Sequence, residues 1–144
     1  MNRFTIILAL GIGGSILGSQ MGGTSGSATS GTTSIRVASS EVYAIDGDTI
    51  AIGEDRYRLM GFDTPETRFA KCDAERELGN QATRRLESLI SAAQSVTLHV
   101  EPRPDRYDRF LAVLEADGQD VGPVLISEGL ARPYDGGQRQ GWCA

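Results

Sequence analysis

The sequence predicts a mainly β, α+β domain: a five-stranded barrel of the OB type, with one long helix after strand 3 and a short C-terminal helix. Three observations carry this reading. Short runs of β-branched and alternating apolar residues recur between turn signals, as antiparallel strands require. One stretch of helical periodicity interrupts them after the third run. A shorter helical stretch follows the fifth run, and five short strands with a helix inserted after the third fit a small Greek-key barrel.

Alternating and β-branched residues begin at about Val37. Val42-Tyr43-Ala44-Ile45 leads into Asp46-Gly47-Asp48-Thr49, after which Ile50-Ala51-Ile52 resumes. This is two strands joined at a corner that bears carboxylates. Gly53-Glu54-Asp55 turns the chain into a third strand around Arg58. Leu78, Ala82, Leu86, Leu89 and Ile90 recur at helical spacing, so about Ala74 to Ala93 is an amphipathic helix, weakened slightly by Gly79. Val96 to Val100 alternates as a strand. Phe110 to Glu115 forms another, closed by the Asp117-Gly118 turn. Pro123 to Leu130 is a short helix, with Pro123 in its first turn and Gly129 near its end.

What precedes the barrel is not globular. Met1-Asn2-Arg3 is a short positive start, and Phe4 to Leu17 is apolar and uncharged, matching a secretory signal. Residues 1–17 are therefore expected to be a signal peptide, or an uncleaved N-terminal membrane anchor, since no clean small-x-small cleavage site follows Leu17. Residues 18–34 are rich in Gly, Ser and Thr and read as a flexible linker. That leaves residues 35–144 as one domain, in an exported protein that is periplasmic, secreted or anchored facing outward. A monomer is expected, with membrane contact only through such an anchor. Two cysteines in an exported chain favour a disulfide between Cys72 and Cys143, which would hold Trp142 and the chain's end against the domain.

Formal net charge is -5, which excludes a general polyanion-binding surface. Any nucleic-acid contact must rest on locally placed arginines and a bound cation. The stretch best suited to this is Arg58-Leu59-Met60-Gly61-Phe62-Asp63-Thr64-Pro65-Glu66. Proline keeps Thr64 extended, with its carbonyl turned outward beside the Asp63 carboxylate, and such hard oxygens suit a hard cation. Glu66, one turn on, could hold a water. Asp-Thr-Pro-Glu also scores as a helix start, with Thr64 as cap and Pro65 at the first helical position. Further along, Asp105-Arg106-Tyr107-Asp108-Arg109 is a charged loop whose last arginine is aimed by the strand that follows. His99, alone in a strand pattern, is expected to be structural.

Together, Asp46-Gly47-Asp48-Thr49, Arg58 through Glu66, Asp105 through Arg109 and Gly129-Leu130-Ala131 resemble the staphylococcal nuclease (thermonuclease) family. The likeness runs from about Val42 to Ala131. It implies an OB-type barrel and a Ca2+-dependent nuclease that acts on DNA and RNA and leaves 3'-phosphate ends. By the same resemblance Asp48 and Asp63 are the calcium carboxylates and Thr64 the carbonyl ligand. Arg58 and Arg109 are the phosphate-gripping pair, and Glu66 the acid that activates water. Arg106 and Tyr107 match positions that touch a terminal phosphate. Asp46 stands either behind the ligands or simply as a turn aspartate. The chain departs from the family in two places. Asp108 replaces a glycine before the second arginine, and the family's C-terminal helix has no counterpart before Ala144, so another closure is needed. Two competing functions are a catalytically weak module that binds nucleic acid or protein, and a calcium-stabilised envelope protein. The first has no need of Glu66, and the second leaves Arg58 and Arg109 unexplained.

Overall fold

The computed structural model describes residues 31–144. The expected signal or anchor, residues 1–17, and most of the expected linker, residues 18–34, lie outside the described residues. The elements are β1 (Thr33–Val37), a 3-10 turn (Ser39–Glu41), β2 (Val42–Asp46), β3 (Thr49–Ile52), β4 (Asp55–Leu59), β5 (Gly61–Asp63), α1 (Asp73–Ala92), β6 (Val96–Val100), β7 (Phe110–Ala116), β8 (Gln119–Asp120), α2 (Val121–Ser127) and β9 (Arg132–Tyr134). Strands β1-β6-β7-β4-β3-β2 lie side by side in one mixed sheet, with β8 on the flank of β7, while β5 and β9 form a separate pair. All pairings are antiparallel except β4 with β7, where Arg58 faces Leu111. The sheet curls into a half-barrel of the OB type with its two helices, so the expected fold class stands.

The strand count exceeds five for physical reasons. β1 begins at Thr33, inside the Ser/Thr-rich run, because Thr33 through Val37 find a complete antiparallel partner in β6. A strand that borrows its stability from a distant neighbour carries little signal of its own. The apolar run after Arg58 is not one strand. At Met60 the chain leaves the main sheet, and Phe62 pairs instead with Pro133 in β9.

The core is the concave side of the sheet closed by the helices. Ile50, Leu59, Phe62, Leu86, Leu98, Leu114 and Leu125 are essentially inaccessible. α1 contributes Gly79, Ala82, Leu86 and Ile90 along one face, the apolar stripe read from its spacing. Its first residue is Asp73, so the alternative of a helix start at Asp63 through Glu66 is set aside: Thr64 to Cys72 form an irregular loop laid against the helix. α2 starts two residues before the expected Pro123 because the Asp120 side chain accepts from Gly122 N at 2.8 Å and caps it.

Gly79 has a use that propensity does not reveal. A Cβ there would stand 2.7 Å from the Pro65 carbonyl oxygen and 3.0 Å from that of Glu66. The bare helix surface is what lets the 64–66 backbone lie flat on α1. Gly79→Ala gains about 1 kcal/mol of helix propensity but forces two backbone carbonyls apart. We expect a net loss of about 1–3 kcal/mol, read as a lower thermal midpoint; a raised midpoint would refute the close-packing argument.

Candidate active site

The site begins at the β2–β3 corner. Asp46 closes the turn by accepting the Asp48 backbone N–H at 3.2 Å. Gly47 lets the corner approach the rest of the site: a Cβ there would meet Ala82 Cβ and Thr64 Oγ1, both at 2.8 Å. Asp48 is thereby buried against the start of the Thr64 loop, and its Oδ2 accepts the Thr64 backbone N–H at 3.2 Å.

Arg58 lies between the two expected ligand carboxylates. Its Nη1 is 2.8 Å from Asp48 Oδ2 and its Nη2 3.5 Å from Asp63 Oδ1. Nη1 also donates to the Asp48 and Leu59 carbonyls, and Nη2 to the Phe62 carbonyl. Only 5% of Arg58 is exposed. A guanidinium can be buried at this depth because its fork meets so many acceptors at once. Beside it opens an apolar cavity of about 670 Å³, lined by Arg58, Met60, Phe62, Leu111, Pro133 and Tyr134 among others.

Asp63 sits where β5 ends, with its carboxylate buried. Its Oδ1 lacks a well-directed hydrogen bond although two guanidiniums lie near it, Arg58 and, at 3.1 Å from Nε, Arg139. Burial raises the Asp63 carboxyl above its ordinary value. Arg139 pulls it back, Asp48 pushes it further up, and the Trp142 indole and then Arg58 lower it again. Burial also lifts Asp46, with Asp48 adding to the rise, to about 6. Crowded, desolvated carboxylates beside the buried Thr64 are an arrangement that a hard cation neutralises.

Glu66 is at the mouth of this cluster, its side chain 40% exposed and bonded to Arg139 Nη1 at 2.8 Å. Its backbone is fastened from below by Glu75, a buried carboxylate on α1 whose oxygens accept the Lys71 N–H at 2.7 Å and the Glu66 N–H at 3.5 Å. Asp48, Arg58, Asp63 and Thr64 are thus brought together, with Glu66 at their edge. Arg109 pairs within its own loop and not with these groups. It immediately precedes β7, the parallel neighbour of the strand that carries Arg58, and its Nε and Nη2 donate to Asp105 Oδ2 at 3.0 and 2.7 Å. Asp105 also accepts the backbone N–H groups of Tyr107 and Arg109 and so organises the loop. Arg106 and Arg109 both flank the exposed Tyr107 ring, at 4.8 and 5.4 Å from its centroid. Asp108, where the family pattern has glycine, holds φ at 60°, so the left-handed turn survives on one of the few side chains that take this region readily. His99 contacts Ser34 and Glu115 across its sheet, far from these groups in role.

Two participants escaped the sequence reading. Glu75 carried one faint signal, a carboxylate on the otherwise apolar stripe of α1. Arg139 carried none, because the tail that brings it here has no periodicity. After β9 this tail doubles back: Arg132 donates to the Gly141 carbonyl at 2.9 Å and lies over the Trp142 ring at 3.7 Å. Cys143 ends at disulfide distance from Cys72, with Cα atoms 6.0 Å apart.

With this geometry in place, the comparisons are consistent. The family model of staphylococcal nuclease homologues matches residues 56–141, which include Arg58, Asp63, Thr64, Glu66, Arg109 and Arg139 but not Asp48. The chain belongs to this family. It is 35% identical over 94 residues to the endonuclease YncB of Bacillus subtilis, covering 62% of this chain and 44% of that protein. To the thermonuclease of Staphylococcus intermedius it is 37% identical over 93 residues, covering 61% and 54%. To the succinoglycan biosynthesis protein ExoI of Rhizobium meliloti it is 36% identical over 99 residues, covering 66% and 51%. The chain thus spans about half the length of these relatives.

The burial of Arg58 makes a stability prediction. Arg58→Met takes from buried Asp48 its paired cation and leaves Asp63 with Arg139 alone, and should cost about 3–5 kcal/mol without added metal. Arg109→Met, which breaks a partly exposed pair, should cost about 1 kcal/mol or less. Urea denaturation of both variants decides this, and equal losses would contradict the assignment of Arg58 as the buried keystone.

Proposed function

We propose that the protein is an exported Ca2+-dependent nuclease that hydrolyses phosphodiester bonds of DNA or RNA and leaves 3'-phosphate ends. The observation that carries this is Asp63 Oδ1, buried beside Asp48 and two guanidiniums yet short of a hydrogen bond, three residues before a partly exposed glutamate. The names of the endonuclease and thermonuclease relatives support the same reading.

Calcium held by Asp48, Asp63 and the Thr64 carbonyl would supply positive charge against the charge that develops on the phosphorus oxygens. Glu66 accepts a proton from water as the water oxygen bonds to phosphorus. The P–O5' bond breaks, and the electron pair leaves on the 5'-oxygen, which takes up a proton to become the hydroxyl. Arg58 fixes the two carboxylates and holds positive charge under the phosphate. Arg109 exchanges Asp105 for a phosphate oxygen, with Arg106 and Tyr107 gripping the neighbouring one. The apolar cavity beside Arg58 receives a base, which favours single-stranded or melted substrate. One observation favours the weaker alternative of a binding module: both Nη groups of Arg58 are spent on protein acceptors.

Incubating the full chain with plasmid and with RNA, in calcium or in chelator, separates these readings. Cleavage that needs calcium, and a drop of roughly 10² to 10⁴ in turnover for Glu66→Gln with binding retained, is the expected result. Undiminished cleavage in excess chelator would sink the metal assignment, and an unaffected Glu66→Gln would sink the base.

We further propose that Cys72 and Cys143 are bonded in the exported protein. Closing a loop across 71 residues of sequence is worth about 4 kcal/mol in the chain-entropy model. Reduction should therefore lower the melting temperature and activity together. Two free thiols per chain, titrated in unfolded and unreduced material, would rule the bond out.

A further inference from the structure

We propose that Arg139 is a positioning residue of this site: it sets the Glu66 carboxylate at a fixed place relative to Asp63. The inference rests on the nuclease reading above. Its basis is a single guanidinium with two carboxylate partners, Nη1 at 2.8 Å from Glu66 Oε1 and Nε at 3.1 Å from Asp63 Oδ1. Glu66 is 40% exposed on a loop, and among the described residues Arg139 is the side chain that holds its carboxylate. Without it, repulsion from Asp63 and the attraction of bulk water would both turn Glu66 outward. With it, a rigid planar fork fixes the separation of the two acids, as a water-activating group needs.

The tail is built to present this side chain. Tyr134 Oη donates to the Gly137 carbonyl at 2.9 Å, and the Arg139 guanidinium lies 5.9 Å from the Tyr134 ring centroid. Gly136 and Gly137 turn the chain with φ of 110° and 90°, values an L side chain rarely takes. Beyond Arg139, the Arg132 contacts to Gly141 and Trp142 and the approach of Cys143 to Cys72 pin the far end. A residue supported on both sides at such cost in conformational freedom is preorganised for its contact.

Steady-state kinetics of full-length Arg139→Gln and Arg139→Lys on single-stranded DNA in saturating calcium test this. For Arg139→Gln, kcat should fall by roughly 10- to 100-fold, with KM and melting temperature nearly unchanged. Arg139→Lys, which keeps the charge but not the fork, should recover part of the loss. An unchanged kcat would overturn the proposal, and so would a rise in KM alone, which would make Arg139 a substrate contact. A kcat loss matched by a loss of melting temperature and not relieved by lysine would reduce it to a structural strut and overturn it equally. Wild-type protein that fails to cleave in calcium would remove the nuclease reading and this inference with it, an outcome visible before any variant is assayed.

Discussion

Arg58, buried between Asp48 and Asp63, is the interaction on which the rest of the structure depends. Its guanidinium touches the β2–β3 corner through Asp48, its own strand through Leu59 and the start of the second sheet through Phe62 and Asp63. These segments are consecutive in the chain but point in different directions, and hydrophobic burial alone would not fix their angles. A charge taken this far from water is tolerated only when its acceptors are in place. Burial therefore enforces the geometry: any arrangement of corner, strand and loop that leaves the guanidinium short of partners carries a heavy penalty.

Two glycines and one carboxylate extend that constraint to the loop. Gly47 lets the corner touch Thr64, and Gly79 lets the carbonyls of Pro65 and Glu66 rest on the helix. Glu75 then takes up the N–H groups of Glu66 and Lys71. The loop that carries the exposed acid has almost no regular hydrogen bonding of its own, so its shape is imposed by what it lies on. The tail covers it from the other side, and the acid is held between α1 beneath and Arg139 above.

The parts of this arrangement legible in the sequence are those set by local chemistry. Alternation in Val42–Ile45 and Val96–Val100, and the apolar stripe from Leu78 to Ile90, follow from periods of two and 3.6 that a burial face requires. The Asp-Gly-Asp and Arg-to-Asp spacings are short enough for a loop to deliver them together. What was illegible depends on partners far along the chain. Thr33 and Ser34 are strand residues because β6 is there to receive them. Pro133 is in a strand despite its missing donor because the β5–β9 pair is only three residues long. Arg109 looks from sequence like the twin of Arg58, yet Asp105 claims it, a partner four residues away on its own loop. Arg139 is the extreme case: a cation in a Gly- and Gln-containing tail, 73 residues from the glutamate it holds.

The fold is closed by its ends. Ser34 meets His99 across 65 residues of sequence, and Arg139 reaches Glu66 across a similar span. Contacts of this separation form late, since the entropy of the intervening loop is lost before the contact can repay it. A chain of this design remains an open thread well after its middle strands could pair. That delay leaves Glu66 without its Arg139 partner until the tail has folded back over the loop.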